Sequence, residues 1–296
     1  MLDLRVETFL AVCRTMNYTK AAEELHITQP AVSQHIHGLE SQYRTKLFRY
    51  ENRRLSLTES GQLLRRTAET MVHDARRMEE AIHAADNRRS LHFGATLTIG
   101  EYCMAEPLHR LLREEPDTQI QMLTANTYEL LTLLDRGEID FAVVEGNFDQ
   151  SAYDSLVYST QRFIPVAAAN YPFPQPVRIL AHLLGERLLV REPGSGTRNV
   201  LERALESRNL SVDSFAKVTE LGSLNLIKQL AEQGAGIAFF YEPVVRQELE
   251  SGTLVEIPLS DCAITHDFSF LWKRGSAFSQ EYRRYFSMLQ ETAESP

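Results

Sequence analysis

Apolar residues in the first forty positions recur at the spacing of one helix face, and this pattern predicts three short helices. The first helix ends near Asn17, and Thr19 can cap the second. A break at residues 26–28 then separates the second helix from the third. The inward positions of the first two helices are Leu4, Phe9, Leu10, Val12, Cys13, Ala21, Ala22 and Leu25.

The third helix keeps a polar face free. Thr28 can cap it, and Pro30 falls in the first turn, where a missing N–H costs little. Its inward positions are Ala31, Val32, Ile36 and Leu39. Two short helices joined by a tight turn predict a helix-turn-helix whose second helix reads base edges in a major groove. The predicted reading residues are Thr28, Gln29, Pro30, Ser33, Gln34 and His37.

A long helix is predicted next, because no proline or glycine interrupts the chain between Gly61 and Arg89. Its apolar and small residues alternate at spacings of four and three, which is the pattern of a helix that another helix covers. We expect a second copy of the chain to cover it; packing on the chain's own downstream domain is the alternative. The stripe comprises Leu64, Ala68, Met71, Ala75, Met78, Ile82 and Ala85. Charged residues between them, including Asp74 and Arg77, are expected to keep the other faces solvated.

After Ser90, strands alternate with helices, which predicts an α/β domain with an open, largely parallel sheet. Ligands in such sheets bind beyond the carboxyl ends of strands, where helix N-termini favour negative charge. The strongest such signal is the run Gly194-Ser195-Gly196-Thr197-Arg198, since its glycines allow close approach and its hydroxyls and guanidinium can hold an anion. A plain turn followed by a capped helix is the alternative interpretation.

Composition supports a globular protein of more than one domain. The 296 residues are 43% hydrophobic and 24% charged, with a mean hydropathy of -0.28. The net charge of -9 is unevenly distributed, because residues 1–89 carry +2 and the remainder -11. Basic residues that can contact phosphate cluster at Arg49, Arg53 and Arg54. Neither a secretory signal nor a membrane-spanning stretch is evident, so we expect a cytoplasmic protein.

The N-terminal residues resemble those of the LysR-type transcriptional regulators. The shared residues are Ala21-Ala22, Leu25, the run 28–34, Ile36, Leu39-Glu40, Leu47-Phe48 and the run 57–61. Two positions depart from the family pattern: Tyr43-Arg44 replaces the usual Leu-Gly, and Tyr50 replaces a common arginine. The phosphate contacts of the wing are therefore expected from Arg49, Arg53 and Arg54.

The resemblance extends to the rest of the chain through residues 137–142 and 234–238. It implies a winged helix-turn-helix at 1–60, a linker helix for dimerisation at 61–89, and a two-lobed effector domain like a periplasmic binding protein at 90–296. Lobe 1 would comprise residues 90–162 and 268–296, and lobe 2 residues 163–267. The partners it implies are promoter DNA, a small effector and further copies of the chain, as a dimer or a tetramer; RNA polymerase is a candidate partner.

The same resemblance implies an effector site in the cleft between the lobes. Glu145 and Tyr241 can add polar contacts there, and Glu145 would oppose an anion unless paired, for which Arg198 is a candidate. The expected effector-binding residues are Thr96, Thr98, Asn126, Thr127, Glu145, Ser195, Gly196, Thr197, Arg198, Ser223 and Tyr241. Effector binding is expected to shift the lobes and so to alter the spacing of the reading helices on DNA.

Three other functions fit the sequence less well. Ser195 lies in Gly-Ser-Gly rather than in a nucleophile elbow, and no histidine is placed to activate it, so we expect no enzyme. The histidines of His35-x-His37 point away from each other on a helix, and the three cysteines have no metal-ligand spacing, so we expect no metal and no cofactor. The remaining alternative is a redox-responsive regulator of the same family, which would use Cys103, expected in an early helical turn, and Cys262.

Overall fold

The N-terminal domain is a winged helix-turn-helix. The computed structural model describes residues 3–51, 54–84 and 90–290. Side-chain oxygens of Asn17 and Thr28 begin the second and third helices, because each accepts a backbone N–H of the first turn. The predicted cap at Thr19 is wrong, since Thr19 lies inside the helix and donates its own N–H to Asn17 Oδ1 at 2.8 Å. The elements are α1 (Leu4–Thr15), α2 (Tyr18–Glu24), α3 (Gln29–Tyr43), β1 (Phe48–Glu51) and β2 (Arg54–Leu57).

A small core joins these elements to the long helix that follows, α4 (Glu59–Ala84). Phe9 and Val32 are among its buried members, as the inward faces predicted, and Phe48 joins them. The prediction is wrong for Leu4, which is 56% exposed. The same core includes Ala68, which is 1% exposed, and the partly buried Leu64. The first turns of α4 are therefore packed as part of the N-terminal domain.

The described residues from Ser90 onward form one sheet of nine strands with helices on its faces, which confirms the predicted α/β class. The strand order is β4-β3-β5-β11-β6-β9-β7-β8, with β10 beside β6. The strands are β3 (Ser90–Thr96), β4 (Gln119–Ala125), β5 (Phe141–Val144), β6 (Tyr153–Ala168), β7 (Arg187–Arg191), β8 (Lys217–Leu221), β9 (Ile237–Tyr241), β10 (Leu254–Glu256) and β11 (Ile264–Lys273). The helices are α5 (Leu97–Tyr102), α6 (Ala105–Glu114), α7 (Thr127–Asp135), α8 (Gly196–Glu206), α9 (Leu224–Glu232), α10 (Glu242–Ser251) and α11 (Ser279–Leu289).

Two long antiparallel strands connect two parallel groups. Strands β3, β4 and β5 pair in parallel and are called here the first half-sheet; β7, β8 and β9 also pair in parallel and are called the second half-sheet. The crossing strands β6 and β11 pair with each other over their whole shared length. β6 reaches β9 at Phe163, whereas β11 reaches β5 from Ser269 onward, directly after a bulge between Phe268 and Ser269. β11 therefore pairs with the first half-sheet and β6 with the second, and the pairing of β6 with β11 joins the two.

Aromatic packing fixes α11 on the first half-sheet. The ring of Phe141 stacks on those of Phe93 and Phe270, with centroids 4.8 and 4.4 Å apart, and Tyr282 and Tyr285 of α11 cover it. All five side chains are at most 1% exposed. Burial on this scale stabilises the fold by about 2 kcal/mol per large apolar side chain, so the C-terminal helix is held beside the strands that begin the domain.

We expect Asn17→Ala to destabilise α2 by about 1 kcal/mol, because two backbone N–H groups would lose their acceptor. Native-state hydrogen exchange of the α2 amides should then be faster by about fivefold. Thr19→Ala is the matched control and should leave exchange nearly unchanged. Equal effects of the two substitutions would contradict the assignment of Asn17 as the cap.

Candidate nucleic-acid interface and ligand cleft

The polar face of α3 is free of the protein's core. Thr28, Gln29, Pro30, Gln34 and His37 are exposed, and Ser33 is half-buried. Gln29 Nε2 donates to Ser33 Oγ one turn later at 3.0 Å, so these two side chains lie side by side. The structure thus brings the predicted reading residues onto one continuous surface, with its amide, hydroxyl and imidazole groups pointing outward.

One histidine of α3 has a different role. His35 is half-buried, and its Nδ1 forms a hydrogen bond of 2.8 Å with the hydroxyl of Thr8 on α1. It therefore fastens α3 to α1.

Basic groups of the wing lie on the surface as well. Arg49 and Arg54 are exposed, and Arg49 Nε donates to Ser56 Oγ on the paired strand at 3.1 Å. Arg53 lies outside the described residues. The Arg49 side chain is 58% exposed, although its Nε lies 4.0 Å from Glu51 Oε2. Most of its N–H groups therefore face solvent.

The predicted stripe of α4 meets two different environments. Leu64 and Ala68 are covered by the N-terminal core of the same chain. Met71, Met78 and Ile82 remain 53%, 47% and 63% exposed. Ala75 is half-buried, and Ala85 lies outside the described residues. Leu63, which the pattern did not single out, is 60% exposed.

The expectation that charged faces of α4 stay solvated is wrong for one face. Glu69, His73 and Arg77 follow one another at intervals of four residues and are 8%, 2% and 7% exposed. They lie against the α/β domain, where His73 Nε2 is 3.2 Å from the Asp140 carbonyl oxygen and Arg77 Nη1 donates to that of Ser90 at 2.8 Å. An interval of four residues is one helix turn, so a polar stripe can form a contact face as an apolar one does.

Several predicted ligand residues act as helix caps. Asn126, Ser195 and Ser223 begin α7, α8 and α9, and each side-chain oxygen accepts a backbone N–H of its own first turn. Ser223 is exposed, whereas Ser195 is buried. For Ser195 this is the capping alternative that the sequence left open, and Asn126 and Ser223 cap their helices in the same way.

A second group of predicted residues meets where the two half-sheets face each other. Thr197 at the start of α8 donates its hydroxyl to Glu145 Oε1, directly after β5, at 2.9 Å. Gly196 approaches so closely that a Cβ atom there would lie 2.7 Å from Glu145 Cγ and 3.2 Å from Thr127 Oγ1. We call the buried polar residues around this contact the cleft cluster. Its members are Thr96, Thr98, Thr127, Glu145, Thr197, Tyr241 and His266.

Buried polar atoms of the cleft cluster lack hydrogen-bond partners among the described residues. They are Thr127 Oγ1, Glu145 Oε2, the Tyr241 hydroxyl and His266 Nε2. Thr96 and Thr98 stand near Glu145, but neither hydroxyl reaches hydrogen-bonding geometry. A buried polar atom without a partner costs about 1–3 kcal/mol, so this concentration indicates a place where a polar ligand can form the missing bonds.

Burial favours neutral forms throughout the cleft cluster. It raises the pKa of the Glu145 carboxyl, and the hydroxyls of Thr98, Thr197 and Thr96 and the Arg191 guanidinium offset only part of the shift. Burial also raises the pKa of Tyr241, which Glu145 raises further, and lowers that of His266. A neutral carboxyl group can donate a hydrogen bond, which an ionised one cannot.

Arg198 does not pair with Glu145, contrary to the sequence expectation. Its guanidinium donates to Glu202 Oε1 at 2.7 Å, to Glu220 Oε2 at 2.6 Å and to the Arg191 carbonyl at 2.9 Å. These contacts turn it away from the cleft cluster and fasten α8 to the second half-sheet. Arg191 and His266 were not predicted as site residues. Arg191 ends an apolar strand, and His266 lies between Thr265 and Asp267 in a strand of mixed polarity, so neither pattern marks a ligand site.

The three thiols are buried. Burial raises the pKa of Cys13 to about 12 and also raises that of Cys262. Cys103 is buried too and follows the end of α5, rather than lying in an early helical turn. Reactive thiols are accessible and have lowered pKa values, so the described environments of Cys13 and Cys262 are those of inert thiols.

Within the described ranges, no group of three or more His, Cys, Asp or Glu side chains is placed to hold a metal ion. None of the helices described is both long and apolar enough to cross a membrane.

Family models match nearly the whole chain. Residues 84–294 match the LysR substrate binding domain, and residues 4–62 match the bacterial regulatory helix-turn-helix protein, lysR family. The chain is 32% identical to the HTH-type transcriptional regulator CfxR of Cupriavidus necator over 303 residues, which cover 99% of this chain and 93% of CfxR.

Two solved structures share the fold. Full-length LysG from Corynebacterium glutamicum with bound effector Arg has a TM-score of 0.62 and 16% identity, covering 98% of each chain. An H2O2-bound mutant of OxyR from the same organism has a TM-score of 0.61 and 22% identity, covering 97% of this chain and 91% of OxyR.

We expect Glu145→Gln to make the protein more stable than the wild type at neutral pH. The pKa of Glu145 is raised on folding, so its contribution is greatest below the unfolded value of about 4.5 and is lost as the pH rises through the folded value. Between these two pKa values, ionisation of Glu145 lowers the free energy of unfolding of the wild type by up to about 1.4 kcal/mol per pH unit. Urea unfolding at several pH values between 4 and 8 measures the difference.

Glu192→Gln is the control of opposite sign. Partial burial acts to raise the pKa of Glu192, but its hydrogen bond with Arg191 lowers it overall. This variant should be less stable than the wild type at neutral pH, with the difference shrinking as the pH falls below about 4.5. If the free energy of unfolding changed with pH in the same way for Glu145→Gln and the wild type, the assigned burial of that carboxyl would be contradicted.

Proposed function

Because the chain belongs to the LysR family of bacterial transcriptional regulators, we propose that α3 reads promoter DNA under the control of a small anion held by the cleft cluster. The protein is a DNA-binding transcription regulator with an effector-binding domain, and it is not an enzyme. The identity of the reading residues, the dimer face and the effector are our proposals.

The reading proposal rests on the exposed face of α3. Gln29, Ser33 and Gln34 can hydrogen-bond base edges in a major groove, since amides and hydroxyls both donate and accept. Thr28 and Pro30 stand at the start of α3, and a helix N-terminus favours a phosphate. Arg49 and Arg54, with Arg53 outside the described residues, supply phosphate contacts from the wing.

The dimer proposal rests on the exposed apolar side chains of α4. Met71, Met78 and Ile82 lie at helical spacing, and a second copy would remove them from water. Leu64 and Ala68 are covered by their own chain, so the proposed face moves toward Leu63 at the N-terminal end of the helix. A dimer formed this way presents two reading helices to a twofold DNA site. Assembly to a tetramer and contact with RNA polymerase are further proposals that the family resemblance alone supports.

The effector proposal rests on the unpartnered Glu145 Oε2 and Thr127 Oγ1 beside the N-termini of α7 and α8. Both termini favour negative charge, and Ser195, Gly196 and Thr197 form the first turn of α8 or cap it. A neutral Glu145 could donate to an anion rather than repel it. Arg198 is not part of the proposed site, because its guanidinium is occupied elsewhere.

Thiol-based control is the weaker alternative. It would need an accessible cysteine of lowered pKa, whereas the three cysteines are buried and the pKa values of Cys13 and Cys262 are raised. The likeness to H2O2-bound OxyR shows a shared fold and does not favour redox control of this chain.

Gln34→Ala should relax sequence preference more than it weakens overall binding. We expect the ratio of specific to random duplex affinity to fall about tenfold, because one base contact is worth about 1–3 kcal/mol. Arg49→Ala should weaken both duplexes alike and reduce the salt slope by about one. Fluorescence anisotropy with a duplex enriched from a random library measures both quantities over a range of salt. A wild type without preference for any duplex would refute the reading assignment.

A thermal-shift screen with small carboxylates, sulfur oxyanions and phosphorylated metabolites tests the effector class. At a hundredfold excess over the Kd, a ligand of the folded state should raise the melting temperature by about 5–10 °C. Thr127→Val should abolish the shift, because it removes a buried hydroxyl while keeping the shape of the side chain. Ser223→Ala is the control and should retain it. A shift that survives Thr127→Val places the anion outside the cleft cluster.

A further inference from the structure

Glu145 has a buried carboxyl oxygen at the contact between the two half-sheets. The side chain is 2% exposed, and its Oε1 accepts the Thr197 hydroxyl at 2.9 Å. Its Oε2 has no hydrogen-bond partner among the described residues. A Cβ atom on Gly196 of α8 would lie 3.3 Å from Glu145 Oε1 and 3.2 Å from Thr127 Oγ1 of α7. The carboxyl group therefore stands beside the first turns of both helices.

In the described part of the chain, no cation forms an ion pair with Glu145. Arg191, at the end of β7, is 4% exposed, but its Nε and Nη2 each donate to Glu192 at 2.8 Å. Arg198 donates to two other glutamate side chains. A carboxylate without a paired cation is costly to bury, so the environment of Glu145 favours the protonated form.

Besides Arg191, two other titratable groups face Glu145. Tyr241, at the end of β9, is fully buried, and its hydroxyl has no partner among the described residues. His266 of β11 lies beside the backbone carbonyl of Glu145. Burial raises the pKa of Tyr241 and lowers that of His266, so both are neutral near pH 7. The other neighbours of the carboxyl group carry hydroxyls and do not titrate; they are Thr96, Thr98 and Thr197.

An anion between the first turns of α7 and α8 would repel an ionised Glu145. When two negative charges share a buried site, one acid is driven to take up a proton. A protonated Glu145 can instead donate its O–H to the anion, which forms the bond that Oε2 lacks. The anion and the proton must then favour each other's binding by the same factor, because coupling between two sites is reciprocal.

We propose that the cleft cluster binds its anion together with one proton, which Glu145 Oε2 takes from the solvent and donates in a hydrogen bond to the anion. This inference rests on the proposed anion site. It makes Glu145 a specificity-determining residue for oxyanions that are fully ionised, such as sulfate, sulfonates and carboxylates. At a fixed anion concentration, more of the regulator is occupied at lower pH, so the protein responds to acidity and to the anion jointly.

The test titrates the full-length protein with sulfate, oxalate and methanesulfonate, whose charges stay constant from pH 5.5 to 9. Isothermal titration calorimetry measures the affinity at each pH. The affinity of the wild type should fall by up to about tenfold per pH unit where Glu145 of the free protein is ionised. Titrations at one pH within that range, in buffers of different ionisation enthalpy, should show the uptake of up to about one proton per anion.

Glu145→Gln separates this proposal from a general effect of pH. The amide of glutamine keeps an acceptor for Thr197 and a donor for the anion, but it does not titrate. This variant should bind each of the three anions with the same affinity at every pH and without proton uptake. The measurement of proton uptake by the wild type remains decisive if the variant fails to fold.

Two control variants test which group takes up the proton. Glu129→Gln removes an exposed carboxylate from the first turn of α7 and should leave the pH dependence of the wild type unchanged. His266→Gln removes the imidazole beside Glu145 and should also keep that dependence. A pH dependence that disappears in His266→Gln and persists in Glu145→Gln would assign the proton to the imidazole and overturn the proposal.

The failure of this inference differs from the failure of the proposed function. If none of the three anions binds at any pH, the proposed anion site is overturned and this inference with it. If an anion binds and Thr127→Val abolishes its binding, the proposed site stands. Equal affinity of the wild type at every pH, without proton uptake, then overturns the proton coupling alone.

Discussion

The continuous antiparallel pairing of β6 with β11 is the constraint on which the α/β domain depends. The two strands run side by side from Tyr153 and Lys273 at one end to Phe163 and Ile264 at the other. One end carries Lys273, whose ammonium group donates to Glu69 of α4, and the other stands beside His266 and Tyr241 of the cleft cluster. Because backbone hydrogen bonds hold the ladder in register, the positions of both functional regions follow from one pair of strands. The bulge at Phe268/Ser269 lies between them, where β11 begins to pair with the first half-sheet.

Desolvation and helix termini act together in the cleft cluster. A carboxylate between the N-termini of α7 and α8 would be favoured by their dipoles, yet burial outweighs this at Glu145 and raises its pKa. The protein therefore brings together a carboxyl group of raised pKa, three threonine hydroxyls that have no hydrogen-bond partner among the described residues, and the N-termini of two helices. This combination is the physical basis of our proposal that the ligand is an anion, because the helix termini favour a negative charge that a neutral carboxyl group would not supply.

Local patterns in the sequence were sufficient for much of this architecture. The spacing of Ala21, Val32 and Ile36 identified the helix-turn-helix, and the run 194–198 located the helix start that faces Glu145. The spacing of Arg198 and Glu202 on one helix is that of a side-chain pair. The second partner of Arg198 could not be inferred, because Glu220 lies on a parallel strand whose neighbour only the fold defines. Likewise Glu69, His73 and Arg77 recur at the interval of a solvated helix face, so their spacing alone does not show that they are buried. Its burial depends on ion pairs with residues more than 60 positions away.

The packing of Ala68 and Leu64 into the N-terminal core also limits how this protein can be divided or recombined. A fragment ending at residue 60 would lack part of its own hydrophobic interior and would expose the faces of Phe9 and Phe48 that these side chains help to enclose. A chimaera that joins the N-terminal domain to a different effector domain must therefore include the first turns of α4. If it includes the rest of that helix, the new effector domain also needs counterparts to Lys273 and Ser276, which donate to Glu69 and Asp74 of α4.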